Sequence, residues 1–315
     1  MKERLLQFFF PAETDKWLSA LRFGLGLEVL FYAWSLRSDW NLLFTASGNG
    51  LIGRDLTEAI LDVHSAFVPR LGWLVAVGSR LGLSEGTILT LAWGALFCAA
   101  CCLVVGLFCR PAAIAAWFFH LCAARSGELF AYGLDNFTTI GLFYLMLSPL
   151  PDELSLDWQR KRSPKQSRWR LGFHRRVLQL HMCVIYFFGG ITKSLGAGWW
   201  NGTSIWRAMT CPPFDVIPPH ILVSFKFLLP VLGVSICLIE TGYPLFIWIK
   251  QTRIIWLVCV LGMHLAIGLT MGLYLFSLIM IVLNIAAFAP DFNPAIEKNI
   301  LWLSKFLRRQ QVEVD

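Results

Sequence analysis

Apolar stretches of membrane-crossing length recur along this chain, and that recurrence limits its fold more than any other feature. Crossing the hydrocarbon core of a bilayer takes about 20 mostly apolar residues, with about 17–25 as the usual range. Eight segments approach that length, at about 17–36, 87–108, 111–126, 133–149, 177–196, 226–248, 254–270 and 272–290. Arg125 and Glu128 interrupt one stretch, and Gly268 and Gly272 are the only evident break in the last pair. Composition argues the same way. The 315 residues are 57% hydrophobic and 15% charged, with mean hydropathy +0.61; ordinary soluble domains are about 45–50% apolar and about 25% charged. With 14 Trp and 25 Phe, a single core would leave far more apolar surface than water tolerates. A soluble enzyme is therefore not expected, and a disordered chain, collagen-like repeats and a disulfide scaffold are excluded. The expected fold class is all-α: a polytopic transmembrane helical bundle of about eight spans, over 1–296, followed by a short cytoplasmic tail at 297–315.

Orientation follows from Lys and Arg in the short connections. The segment 150–176 holds Arg160, Lys161, Arg162, Lys165, Arg168, Arg170, Arg175 and Arg176. With eight spans, this loop shares a side with Arg110, with Lys250 and Arg253, and with the tail residues Lys298, Lys305, Arg308 and Arg309. That side is expected to be cytoplasmic, with both termini inside. Most of the formal charge of +7 then reads as a topology signal toward membrane lipid. Nucleic acid is not an expected partner, because Trp158 and Trp169 are the only well-placed aromatics in the basic loop. The amino-terminal residues lack a signal-peptide pattern, so the first span is expected to stay as an anchor. Of nine cysteines, Cys211 alone falls in a polar loop. Cys98 and Cys101 have CxxC spacing, but they lie mid-way along an apolar run and read as packing residues.

Charged groups inside a span cost about 2.5–3.5 kcal/mol each on insertion scales, so each needs a partner or a function. At a rise of about 1.5 Å per residue, Glu28, His120 and His264 fall about 14–17 Å from the cytoplasmic end of their spans and Glu240 about 12 Å. A buried hydrogen-bonded network is one reading of this layer. A metal site is not expected, because the four come one per helix without the Glu-x-x-His pair of di-iron bundles. Lys193 lies about 24 Å from the inner end of its span, at a height similar to Asp135, which makes the two candidate ion-pair partners. Around the lysine runs Tyr186-Phe187-Phe188-Gly189-Gly190-Ile191-Thr192-Lys193. Gly189 and Gly190 precede it by one turn and Tyr186 lies on nearly the same face, so two missing side chains make room beside an amine for a ligand or a closely packed helix. Snorkelling to the interface is the alternative account of Lys193. A lysine desolvated in an apolar pocket can act as a neutral base.

These residues resemble a known family. The Tyr186–Lys193 motif, followed by Trp199 or Trp200 and by Asn201-Gly202-Thr203-Ser204, is similar to that of HTTM proteins, which include the membrane domain of vitamin K-dependent gamma-carboxylase. Gly262-Met263-His264, with Met271-Gly272-Leu273-Tyr274-Leu275-Phe276-Ser277, resembles the family's histidine-containing span. Arg22 with Gly24 and Gly26, Asp135 after Gly133, and Glu240 also fall where members tend to carry similar residues. The resemblance implies an integral membrane enzyme with Lys193 as the base that deprotonates a reduced quinone of the vitamin K hydroquinone type, and with His264 in the active region. It further implies a substrate or quinone pocket containing Tyr186, Gly189, Gly190, Trp199, Trp200, Glu240, Asp135 and His120, open to the extracytoplasmic side, with an exported peptide or small secreted protein as partner. The family's histidine near the end of the third span has no match in place: His120 lies about one turn earlier. The carboxylase's large C-terminal portion has no counterpart within these 315 residues. Short bacterial relatives include a membrane factor for maturing a secreted peptide toxin, which implies a bacterial inner membrane location and offers noncatalytic maturation or export as the alternative function.

Overall fold

The helix boundaries follow local capping chemistry. In the computed structural model, which describes residues 2–46, 53–64, 67–161 and 166–289, the chain folds first into α1 (Lys2–Phe9), α2 (Lys16–Ser35), α3 (Trp40–Phe44), α4 (Arg54–His64), α5 (Leu71–Arg80), α6 (Glu85–Val105), α7 (Cys109–Ser126), α8 (Gly133–Leu147) and α9 (Leu156–Lys161). After the basic loop come α10 (Arg168–Ser194), α11 (Ala197–Trp200), α12 (Thr203–Thr210), α13 (Pro219–Ser224), α14 (Leu228–Phe246), α15 (Lys250–Met271) and α16 (Tyr274–Phe288). Ser84 opens α6 by accepting the Thr87 N–H, and Glu85 sits in its first turn, where the helix dipole favours an acid. Gly106, at φ 73°, closes it. The interruption at Arg125 and Glu128 is the end of α7, where the two side chains pair at 2.7 Å across the turn. The break in 254–290 falls at Gly272, whose φ of 72° is the left-handed conformation that favours glycine.

Among the described residues there are helices and no strand. Each of the eight expected segments coincides with a helix: α2, α6, α7, α8, α10, α14, α15 and α16. Three of these, α6, α14 and α15, are long and apolar enough to cross a membrane. By contrast α8 and α16 have 15 residues each, and α2, α7 and α10 are less apolar along their length. The tail at 297–315, the cytoplasmic placement of its four basic residues, and Arg162 and Lys165 lie outside the described residues.

Two helices organise the core. The inner face of α2, with Leu18, Leu21, Leu25 and Val29 fully buried, packs against α6, α8 and α16. A Cβ on Gly26 would stand 2.8 Å from the backbone nitrogen of Val104, so only glycine lets α2 and α6 approach this closely. In turn α16 touches α2, α8, α10 and α15. Arg22 of α2, buried, donates to Asp152 at 2.5 Å and to the Leu103 carbonyl at 2.5 Å, while Ser19 donates to the same carboxylate at 2.6 Å. This ion pair ties the segment after α8 to α2 and α6. The outward faces remain apolar: Leu91, Val231, Leu238, Val258 and Leu269 are all more than half exposed.

Candidate functional site

The α10 and α14 helices run antiparallel, since Gly190 lies against Thr241 and Tyr186 stacks on Tyr243. Gly190 sets the spacing, because a Cβ there would come within 2.5 Å of the Thr241 nitrogen and hydroxyl. Close approach brings Lys193, in the last turn of α10, onto Glu240 of α14. The ammonium donates to Glu240 Oε2 at 2.6 Å. Gly189 lies beside this pair, and a Cβ on it would stand 3.2 Å from the carboxylate and 3.6 Å from Nζ. The pair is asymmetric: the lysine side chain keeps 28% of its surface exposed and the glutamate 9%. Over the exposed side, Nζ lies 5.6 Å from the centre of the Trp199 ring, within reach of a cation–π attraction. Trp200 turns away, donating from its indole to the Ser194 carbonyl at the end of α10.

A second group lies two turns back along α10 and is buried. Tyr243 donates to Asn284 Oδ1 at 2.7 Å, Asn284 donates to the Tyr186 hydroxyl at 2.7 Å, and Tyr186 is hydrogen-bonded to His264 Nε2 at 2.8 Å. The direction of the Tyr186–His264 bond depends on the imidazole tautomer, and His264 Nδ1 is buried without a partner among the described residues. Ser277 of α16 donates to the His264 carbonyl at 2.5 Å. The chain of donors therefore crosses α14, α16, α10 and α15 without a charged member.

The expected pairing of Lys193 with Asp135 does not form. Depth along a helix says nothing of which helices are neighbours or which way a side chain leans. Cα–Cβ bonds tilt toward the helix N-terminus, so on antiparallel α10 and α14 the lysine and the glutamate lean toward each other and close a difference in height. Asp135 instead accepts the Tyr132 N–H at 3.0 Å at the start of α8. The expected layer of four also divides. Glu240 joins Lys193 and His264 joins Tyr186, whereas His120 bonds Thr139 at 3.0 Å and packs on Tyr32, and Glu28 has no hydrogen-bond partner among the described residues. Phe276 lies beside the His264 group, with its ring 5.8 Å from His264 and 6.1 Å from Phe137 of α8.

The sequence matches no family model, and neither a curated protein nor a solved structure is similar to the chain.

Sequence reasoning overlooked Asn284 and Tyr243. The signal for Asn284 was present: it is the one amide in the otherwise apolar run of α16, and a buried polar side chain in such a run needs partners. Tyr243 carried no comparable signal, because a tyrosine among apolar residues reads equally as packing. No group of three or more potential metal ligands comes together among the described residues.

Proposed function

We propose that the protein is an integral membrane enzyme of the vitamin K-dependent gamma-carboxylase-like type, in which the Lys193–Glu240 pair takes a proton from a quinol-like, lipid-soluble co-substrate so that an exported peptide is modified or matured. The observation that carries this reading is a partly exposed lysine ammonium held on a buried carboxylate, with a glycine beside it and an aromatic ring facing it. The eight helices are read as eight spans with both termini cytoplasmic, in a bacterial inner membrane, which suits the apolar outward faces and puts the end of α10 at the extracytoplasmic side.

The residues suit a reduced quinone in chemistry: Trp199 would offer an aromatic face to a flat ring, and Lys193 would meet a ring hydroxyl. Such a quinol would supply an acidic hydroxyl at that place. The pair works as a unit of zero net charge: one of the ammonium protons passes to Glu240, the freed amine accepts the substrate's proton, and the pair is left with one added positive charge. Tyr186, His264 and Asn284 hold α10, α14, α15 and α16 in register beneath it.

The test uses the full-length protein in nanodiscs with vitamin K hydroquinone, bicarbonate, oxygen and a glutamate-containing peptide, reading quinone epoxide and peptide mass. Wild type is expected to form epoxide, and Lys193→Ala to lose about 10²–10⁴-fold in rate, the usual contribution of a positioned general base, while keeping its thermal stability. Equal turnover by the two proteins overturns the reading.

A second reading is a noncatalytic membrane factor for maturation or export of a secreted peptide toxin. The uncharged chain from Tyr243 to His264 favours it, since interhelical hydrogen bonds of this kind hold bundles together with no chemistry required. It predicts that substitutions at Lys193, Glu240 and His264 lower stability and function together.

A further inference from the structure

A cavity of about 190 Å³ lies away from Lys193, where the ends of α2 and α7 meet the start of α8. Tyr32, Phe130 and Tyr132 give its lining three aromatic rings, and Leu275 of α16 also lines it. Among the described residues Asp135 is the one charged residue lining it, and neither Lys nor Arg does so. The nearest arginine in sequence, Arg125, is already paired with Glu128 at 2.7 Å.

Beneath this wall is a carboxyl with nothing to bind. Glu28 lies one helical turn before Tyr32 on the same face of α2 and is fully buried, and neither of its oxygens has a hydrogen-bond partner among the described residues. It does not itself line the cavity, but it stands one turn behind Tyr32 and interacts electrostatically with Asp135 and Tyr132, two residues of the cavity wall. Leaving a buried carboxyl unpaired is costly, and a second carboxyl beside it adds to that cost. A bound cation would relieve both.

We propose that this cavity is a binding site for an organic ammonium group, with Asp135 and Glu28 supplying the counter-charge and Tyr32, Phe130 and Tyr132 the aromatic faces. Aromatic rings attract ammonium ions electrostatically, and the attraction grows when the site is desolvated. A metal ion would instead require more oxygen or nitrogen ligands than these residues bring together. The size is right for a small amine: an engineered cavity of about 150 Å³ takes benzene. The ammonium can come from a free amine or from a phospholipid headgroup. The site rests on no residue of the Lys193 group, so its failure would leave that reading untouched.

The test is isothermal titration of the full-length protein in maltoside micelles, which carry no amine. One arm uses phenethylammonium against uncharged 3-phenylpropanol; the other uses dihexanoyl phosphatidylethanolamine against dihexanoyl phosphatidylglycerol. At least one ammonium probe is expected to bind at least tenfold more tightly than its control, and the arm that does so names the source. Asp135→Asn, which can still accept the Tyr132 N–H, and Glu28→Gln should each weaken that binding about tenfold. Ala131→Leu, which fills the cavity from the loop without touching a carboxyl, should abolish it and covers the case in which a carboxyl variant does not fold. Equal affinity for charged and uncharged probes, no binding in either arm, or binding unchanged by Ala131→Leu would overturn the proposal.

Discussion

At the residue scale the functional question turns on Lys193 having a partner. With its ammonium on Glu240 at 2.6 Å, it is one half of a pair and not an isolated amine. Glu240→Gln keeps the shape and removes the charge, so epoxide formation should fall about as far as in Lys193→Ala, about 10²-fold or more. Lys193→Arg should not restore it, because a guanidinium does not give up its proton. Asn284 is a different kind of residue. Asn284→Ala would leave the Tyr243 hydroxyl without a partner, while Tyr186 keeps His264, at about 1–3 kcal/mol for a buried unsatisfied group; unfolding in mixed micelles should read a loss of that order. Asp15, outside the apolar segments, gives a pH dependence. Burial pushes its carboxyl above the ordinary value of 3.8, although the Glu153 N–H it accepts at 2.6 Å pulls the other way. A carboxyl raised on folding binds its proton more tightly in the native state, so its contribution is fullest below 3.8 and is lost as pH rises through the raised value. Relative to Asp15→Asn, which keeps the hydrogen bond, the wild-type Tm should therefore drop as pH increases across that window.

At the element scale the two adjacent glycines of α10 have separate duties. Gly190 faces the α14 backbone, where a Cβ would meet the Thr241 nitrogen at 2.5 Å, and backbone cannot yield. Gly189 faces the ends of two flexible side chains at 3.2 and 3.6 Å. Gly190→Ala should therefore part α10 from α14 and lower the melting temperature, whereas Gly189→Ala should leave folding near wild type and crowd the Lys193–Glu240 pair, seen as a rise in KM for the quinol. The break at Gly272 between α15 and α16 was legible in the sequence because it is local, whereas the segment expected at 87–108 ran past Gly106, which closes α6. The Lys193 partner was not legible, because depth counted along each helix carries no information about neighbours, and the lean of side chains on antiparallel helices had been left out.

At the scale of the whole molecule, apolar side chains occupy both the core and the outward faces, and three helices are long and apolar enough to cross a membrane. Cysteine accessibility checks this. Cys98, Cys211 and Cys259 are all exposed in the protein itself, yet on the proposed topology lipid covers Cys98 and Cys259. A membrane-impermeant maleimide added outside intact cells should label Cys211 alone, and detergent should not be needed for that reaction. Hydrophobic length, caps and breaks are properties of neighbouring residues, so the sequence by itself determined that this chain is a set of helices in these places and which polar side chains lie within them. Which of those side chains meet was decided only by tertiary structure. Lys193 finds Glu240 47 positions away and Tyr186 finds His264 78 positions away, while Asp135 lines a cavity apart from both. Those meetings depend on the order and rotation of the packed helices, set by close contacts such as Gly26 on Val104 and Gly190 on Thr241.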